Sequence, residues 1–218
     1  MTAMADLFDV NAVTVESIDR SLSKAGLRRK GGRGRSAAHM TGLDVTHLAF
    51  ALILEAGMTD APEKVGKVSR MPRQQATVQW RPDPDMPQSS LAEQVEQYQE
   101  HLATDVDLGV FPGGAALATA ETMGEGVAVL VDAMAEGEFE VLDDVALNLQ
   151  MWNTGPSALL AYATRAGVLR LHYEATGPEA DRPIFERSFK LDEALLRRLA
   201  GIIAQLCPAV AGIRRHRS

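Results

Sequence analysis

The sequence of 218 residues predicts an α+β fold, and three patterns lead to that assignment. Apolar residues recur at helical spacing through much of the chain before residue 135. Over about residues 139–191 the spacing changes to the alternation that is typical of half-buried strands. The apolar positions on one face of that alternation are Val145, Leu147, Leu149 and Met151. A further helical stripe follows Asp192, so we expect helices packed on a four-stranded antiparallel meander, closed by a C-terminal helix.

Two helices are predicted near the N-terminus. The first spans residues 14–26, because Thr14 can cap it and Gly26 can end it. The second spans about residues 43–56, with Thr41 as its N-cap. Their apolar stripes are Val15, Ile18, Leu22 and Ala25 in the first helix, and Val45, Leu48, Ala49, Leu52 and Ile53 in the second.

Residues 61–88 are predicted to be a linker, because proline interrupts regular structure. Five of the ten prolines in the chain lie within residues 58–88. One short strand is expected over residues 74–80, at a sheet edge because prolines follow it. The linker would separate a helical module of residues 1–60 from an α+β domain of residues 89–218.

The predicted domain of residues 89–218 begins with two amphipathic helices. The first starts at Ser89 or Ser90, and its apolar positions are Leu91, Val95, Tyr98 and Leu102. The second spans about residues 116–135. Turns at residues 153–156, 165–167 and 176–183 divide the alternating segment into four strands. A last helix runs from Asp192 to Pro208.

Charge is unevenly distributed along the chain. Residues 20–81 contain twelve Lys and Arg against four Asp and Glu, whereas residues 82–164 contain fifteen Asp and Glu and no Lys or Arg. The formal net charge of −7 disfavours indiscriminate binding to anionic surfaces. The acidic stretch can simply provide solubility. It can instead repel DNA, which would confine binding to the N-terminal module, and pair with the basic region of another copy, or it can dock a basic partner.

The sequence also predicts a cytoplasmic protein. A single cysteine, Cys207, cannot form an intramolecular disulfide, which is typical of a reducing compartment. The N-terminus lacks the basic and apolar regions of a signal peptide. The apolar run of residues 48–54 is far shorter than the roughly 20 residues that span a bilayer, so we expect no membrane association.

The segment of residues 28–35, here called the basic loop, is the strongest functional candidate. It holds five cations and three glycines without an acidic residue. Arginine binds phosphate oxygens through two parallel hydrogen bonds, and glycine lets the backbone approach closely. The predicted nucleic-acid-binding residues are Arg28, Arg29, Lys30, Arg33 and Arg35 in the loop, with Arg20, Lys24 and His39 beside it. A solvated loop, or a basic surface for a protein partner, is the alternative.

A helix ending in SKAGL, the basic turn RRKGGRGR and a helix beginning near TGLD resemble the wing region of MerR-type winged-helix regulators. The resemblance covers residues 14–56 and implies that the basic loop is a wing flanked by Arg20 and Lys24. Those regulators carry a further helix before this point, for which residues 1–13 leave little room. The whole chain also looks similar to uncharacterised proteins of bacterial prophages and mobile elements. That likeness implies transcriptional control or recognition of DNA for packaging.

No metal site, cofactor or catalytic centre is predicted. His39 and His47 are eight residues apart, and no cysteine or carboxylate is spaced to complete a metal site with them. Asp143 and Asp144 are adjacent, so on a strand they would point to opposite faces. The patterns GxxxxGK[ST], GxGxxG and GxSxG do not occur.

The sequence therefore favours a non-enzymatic protein that binds DNA phosphates through the basic loop. Its C-terminal domain would mediate self-association into a homo-oligomer. The alternative is a protein-interaction module, in which the acidic α+β domain binds a partner and the basic loop is incidental.

Overall fold

A computed structural model of the chain describes residues 2–29, 40–80, 100–102, 108–137, 146–152, 157–164, 167–175 and 188–206. Within these ranges there are seven α-helices, a 3₁₀ turn over Leu108–Val110 and one six-stranded sheet. The helices are α1 (Thr2–Phe8), α2 (Ala12–Lys24), α3 (Gly42–Ile53), α4 (Ala61–Ser69), α5 (Gly114–Thr119), α6 (Met123–Ala135) and α7 (Glu193–Leu206). The strands are β1 (Arg73–Trp80), β2 (Glu100–Leu102), β3 (Ala146–Trp152), β4 (Ser157–Ala163), β5 (Gly167–Glu174) and β6 (Ser188–Asp192). The predicted α+β class is confirmed.

All six strands form one antiparallel sheet in the order β2-β1-β5-β4-β3-β6. The strands β3, β4 and β5 follow one another as predicted, but β6 pairs with β3 instead of β5. The four strands therefore take Greek-key order, and the predicted meander is wrong in its last strand. The reason is that β1 already occupies the second edge of β5.

The alternating segment does place one set of residues toward the core. On β4 and β5 the buried positions include Leu160, Tyr162, Leu169 and Leu171. The register pairs Leu149 with Leu160. Val145 lies outside the described residues.

The segment predicted to be a linker is regular structure over most of its length. Pro62 lies in the first turn of α4. N–H groups in the first turn have no acceptor within the helix, so the N–H group that proline lacks costs no helical hydrogen bond. Pro72 directly precedes β1 and bridges to Thr122 instead of interrupting a strand. The linker prediction is therefore wrong for residues 61–80, and residues 81–88 lie outside the described ranges. The edge assignment is also wrong, because β1 lies between β2 and β5.

The helices of residues 1–60 share one core with the rest of the described chain. Nine of the twelve residues of α3 are buried, because it packs against α2, α4, α6 and α7. A helix that is apolar on nearly all sides cannot be covered by a small helical module alone. The predicted separation into a module of residues 1–60 and a domain of residues 89–218 is therefore wrong for the described ranges.

Several helix boundaries differ from the predicted ones. Asn11, not Thr14, caps α2, and its Oδ1 accepts a hydrogen bond from the Val13 N–H at 2.8 Å. The helix predicted over residues 116–135 is two helices, because Thr122 begins α6 with its own capping box. Of the helix predicted to start near residue 89, residues 100–102 form β2 instead, and residues 89–99 are not described.

Candidate nucleic-acid interface

The structure describes Arg28 and Arg29 at the start of the basic loop, and the chain again from residue 40, but not residues 30–39. We call residues 27–29 and 40–42 the loop root. A set of buried or half-buried polar side chains surrounds the loop root, and each belongs to a helix of the core. They are Asp19 on α2, Asp44 and His47 on α3, Ser69 on α4 and Asp132 on α6.

The carboxylate of Asp44 contacts both segments of the loop root. Its Oδ1 accepts a hydrogen bond from the Arg29 N–H at 3.0 Å. Its Oδ2 accepts hydrogen bonds from the Thr41 N–H and the Thr41 hydroxyl, each at 3.0 Å. The last two contacts belong to the capping box that starts α3, so the same side chain begins the helix and ties the loop to it.

Asp132 holds the second end of the loop root against α6. Its Oδ1 accepts a hydrogen bond from the Gly42 N–H at 2.9 Å. Burial raises the pKa of Asp132, the Gly42 hydrogen bond opposes that rise, and the negative charges of Glu136 and Asp44 add to it. The loop root is therefore fixed to two helices at once.

Arg28 points into the protein and forms an ion pair with Asp19. The side chains of Arg28 and Asp19 are only 19% and 12% exposed. Burial raises the pKa of Asp19, and the nearby Arg28 guanidinium opposes that rise without cancelling it. In this arrangement Arg28 anchors the loop root, which disagrees with its predicted role as a phosphate contact.

His47 links the loop root to α4. Its Nδ1 lies 2.5 Å from the carbonyl oxygen of Leu27, and its Nε2 lies 2.7 Å from the Ser69 Oγ. A carbonyl oxygen can only accept, so we assign the proton to Nδ1, and the Ser69 hydroxyl then donates to Nε2. Both residues are 5% exposed, so the pair holds helices together and does not reach solvent. Sequence reasoning missed this role, because no local pattern marks it.

Burial lowers the pKa of His47 below its ordinary value of 6.5, which predicts a loss of stability in mild acid. In the window below pH 6.5 the unfolded chain binds a proton that the folded chain excludes. The contribution of His47 to the free energy of unfolding is thus fully present above that window. As the pH decreases through the window, this contribution decreases by up to about 1.4 kcal/mol per pH unit. His47→Asn should be less stable and should lack this slope.

The measurement is denaturant unfolding of both proteins across mildly acidic pH. His172→Asn is the matched control, because His172 is exposed on β5. We expect it to keep the pH dependence of the wild type. Equal pH dependence of wild type and His47→Asn would contradict the prediction.

The other predicted nucleic-acid-binding residues are only partly brought together. Arg20 is exposed on α2, and its guanidinium lies 3.4 Å from the Glu16 carboxylate. Lys24 is exposed in the last turn of the same helix. Arg29 is exposed, while its N–H group is bound to Asp44. Four predicted residues lie outside the described ranges, namely Lys30, Arg33, Arg35 and His39.

An open cleft of about 510 Å³ lies beside the loop root, between α3 and α6. Its apolar lining includes Leu27, Val129 and the part-exposed Leu43. Its charged lining includes Arg28 and Arg29 but also the carboxyl groups of Asp44, Glu125 and Asp132. These carboxyl groups disfavour a phosphate inside the cleft.

Comparisons with protein-family models, with curated proteins and with solved structures found no match to this chain. Among the residues that the structure describes, no group of three His, Cys, Asp or Glu side chains could hold a metal ion. None of the described helices is long and apolar enough to cross a membrane.

Proposed function

We propose that the chain is a non-enzymatic DNA-binding protein that contacts phosphates with its basic loop. The observation that carries this proposal is the attachment of the chain on either side of the loop, because the N–H groups of Arg29 and Thr41 both bind one buried carboxylate, that of Asp44. A cationic segment with fixed ends loses less conformational entropy on binding than a free one. The chain enters and leaves this cationic segment at a defined place beside α3.

We further propose which cations serve this function. Arg28 is occupied by Asp19, so we assign the phosphate contacts to Arg29, Lys30, Arg33 and Arg35, with Lys24 and Arg20 on the adjacent helix. Arg20 can exchange its exposed partner Glu16 for a phosphate at little cost, because exposed ion pairs contribute little. Such contacts favour DNA of any sequence, since phosphates carry no base information.

The triple variant Lys30→Gln, Arg33→Gln, Arg35→Gln tests the proposal. Each phosphate contact releases condensed counterions, so losing three should reduce the slope of log K against log salt by about 3. The affinity at low salt should fall by at least about tenfold. The measurement is fluorescence anisotropy of a labelled duplex at several salt concentrations.

The matched control removes three cations outside the loop root, as Lys64→Gln, Lys67→Gln, Arg198→Gln. All three residues are exposed on α4 and α7. Replacing them changes the net charge by the same amount as the triple variant in the loop. The control should keep the wild-type slope. Absence of binding by the wild type, or equal binding by the two triple variants, would refute the proposal.

The resemblance to a MerR-type wing and to prophage proteins leads us to propose transcriptional control or DNA packaging as the setting. The two differ in selectivity, because a regulator must prefer one site and a packaging factor can bind uniformly. Selection of bound duplexes from a random pool separates them. Enrichment of one sequence supports a regulator, and no enrichment supports a packaging role.

A second candidate function, a protein-interaction module, is favoured by the outer face of α6. Glu125 and Glu136 are exposed there, Val129 and Asp132 are half-buried, and Glu121 precedes the helix. This acidic face is complementary in charge to a basic partner. The basic loop of a second copy is one such partner, and we propose homo-oligomer formation on that ground.

Light scattering at low and high salt tests this candidate. Glu121→Gln with Glu136→Gln should reduce the molar mass of any oligomer, whereas Glu16→Gln with Glu63→Gln should not. Glu125 is left intact, because its Oε2 accepts hydrogen bonds from the Glu121 and Thr122 N–H groups. A wild type that is monomeric at every salt concentration would refute self-association.

A further inference from the structure

The cleft between α3 and α6 has walls of opposite charge. One wall is the chain that follows α2, where Arg29 is exposed, and the exposed Lys24 lies in the last turn of that helix. The other wall is α6, from which Glu125 and Asp132 line the cleft. The exposed cations therefore lie on one side of the cleft and the acidic groups lie on the opposite side.

The charges of the two walls are not paired with each other. No ion pair among the described residues crosses the cleft. Glu125 and Asp132 each use one carboxyl oxygen to accept hydrogen bonds from backbone N–H groups, which leaves the second oxygen of each available. Arg28 and Asp44 also line the cleft, but Arg28 is bound to Asp19 and Asp44 is bound to the loop root. The available charge of the cleft therefore belongs to its two walls.

Apolar side chains lie between the charged walls. Leu27, Leu43 and Val129 line the cleft, and Leu43 is 37% exposed. Leu43 is one of three large apolar side chains that are exposed in the described part of the chain. An apolar centre with a polar rim is the usual arrangement of a protein–protein interface. The lining of the cleft thus has the composition of a surface that binds another protein.

The order of the charges favours a second copy over a partner of a single charge. In this cleft, DNA would bring phosphates against Glu125 and Asp132, and a purely basic partner would bring cations against Arg29. A second copy related by two-fold symmetry presents both charges in the required order, because each wall then meets the opposite wall of the partner. The same charge contact forms twice, and the apolar side chains of both copies meet near the axis.

We infer that this cleft is the contact surface of a two-fold symmetric homodimer. The inference rests on the self-association proposed above, and it adds the surface and the symmetry of the contact. The second copy contributes its Arg29 and Lys24 to the acidic wall, and it receives the same contact in return. Because the attraction acts between exposed charges, the dimer should dissociate as the salt concentration rises.

Two variants, each with one altered wall, test the arrangement. Lys24→Glu with Arg29→Glu reverses the cationic wall. Glu121→Lys with Glu136→Lys places two cations at the ends of the acidic wall, where both residues are exposed, and leaves intact the acids that bind N–H groups. Each variant alone should be monomeric at low salt, because both charge contacts of its dimer lose their attraction. Light scattering measures the molar mass.

An equimolar mixture of the two variants should recover a dimer. One of its contacts joins two unaltered walls, and the other joins the two altered walls, whose charges are again opposite. The expected molar mass of the mixture and of the wild type at low salt is twice that of one chain. A head-to-tail contact would not close in this way and would give larger assemblies.

The control is Lys67→Glu with Arg198→Glu, which changes the net charge as much as the variant of the cationic wall. Both residues are exposed, on α4 and α7, and the control should remain a dimer. Circular dichroism verifies that each variant is folded. The milder variant Arg29→Gln should raise the dissociation constant severalfold, which keeps the inference testable if a reversed wall prevents folding.

The possible failures are distinguishable. A wild type that is monomeric at every salt concentration refutes the proposed self-association together with this inference, whereas DNA binding is measured independently. A wild-type dimer that persists in both altered-wall variants refutes the inference alone. Monomeric variants whose mixture is also monomeric refute the two-fold pairing of the walls.

Discussion

Replacing Arg28 with alanine is expected to lower the free energy of unfolding by about 3 kcal/mol, although the residue lies in a loop of basic character. The cause is Asp19, which would keep its place in α2 without a cation beside it. An unpaired carboxylate in a site this poorly exposed is strongly destabilising. Denaturant unfolding of the wild type and the variant measures the difference.

Two controls define the interpretation of Arg28→Ala. Arg20→Ala breaks the exposed pair with Glu16 and should change the free energy of unfolding by less than about 1 kcal/mol. The double variant Asp19→Leu, Arg28→Met should regain most of the lost stability. The reason is that burial raises the pKa of Asp19 more than Arg28 lowers it, so the ion pair does not offset its own desolvation. Equal effects of Arg28→Ala and Arg20→Ala would show that the Asp19 pair is not buried in solution.

The stability deficit of Arg28→Ala should also depend on pH. Without the guanidinium, the pKa of Asp19 in the folded state rises further above its ordinary value of 3.8. A raised folded pKa means that the folded state binds the proton more tightly, so the contribution of Asp19 to stability is most favourable in acid and is lost as pH rises through that pKa. The deficit should therefore be smaller near pH 4 than at neutral pH.

Replacing Gly42 with alanine is expected to lower the free energy of unfolding by about 3 kcal/mol. A Cβ atom at this position would lie 2.6 Å from the Ala128 carbonyl oxygen and 2.6 Å from the Asp132 carboxyl group. The first is backbone of α6, and the second is held in place by the Gly42 N–H group itself. The helices α3 and α6 would have to separate, and thermal unfolding measures the cost.

Gly66→Ala is the matched control for Gly42→Ala. Gly66 lies within α4, and no atom is within 4 Å of the position that its Cβ would take. Alanine is favoured over glycine in a helix by about 1 kcal/mol, so this variant should be more stable than the wild type. Destabilisation by both substitutions to the same extent would contradict the close approach of α3 to α6.

The sequence predicts those elements whose signals are local. Thr41 and Asp44 form the capping box that begins α3, and Asp192 accepts from the Leu195 N–H at the start of α7. The seven-residue helix α1 was missed, because it is too short to show a clear periodicity. Pro62 was interpreted as an interruption, although proline is well tolerated in the first turn of a helix.

The candidate site could be predicted only in part, for a related reason. The basic loop is visible in the sequence because its five cations are adjacent. Its attachment is not visible, because Asp44 lies 15 residues from Arg29 and Asp132 lies 90 residues from Gly42. Such contacts depend on how the helices pack, and no pattern along the chain indicates which buried acid meets which N–H group.

The pairing of β1 with β5 has a consequence for how the chain folds. Val78 pairs with Leu169, so β1, which is synthesised early, cannot form this pairing until β5 has been synthesised. Contacts between distant segments slow folding, because a long loop must close before they form. Asp132 is likewise made long after Gly42, so a nascent chain carries the cations of the basic loop before it can build the loop root. We therefore expect the loop root to form only after the ribosome has released most of the chain.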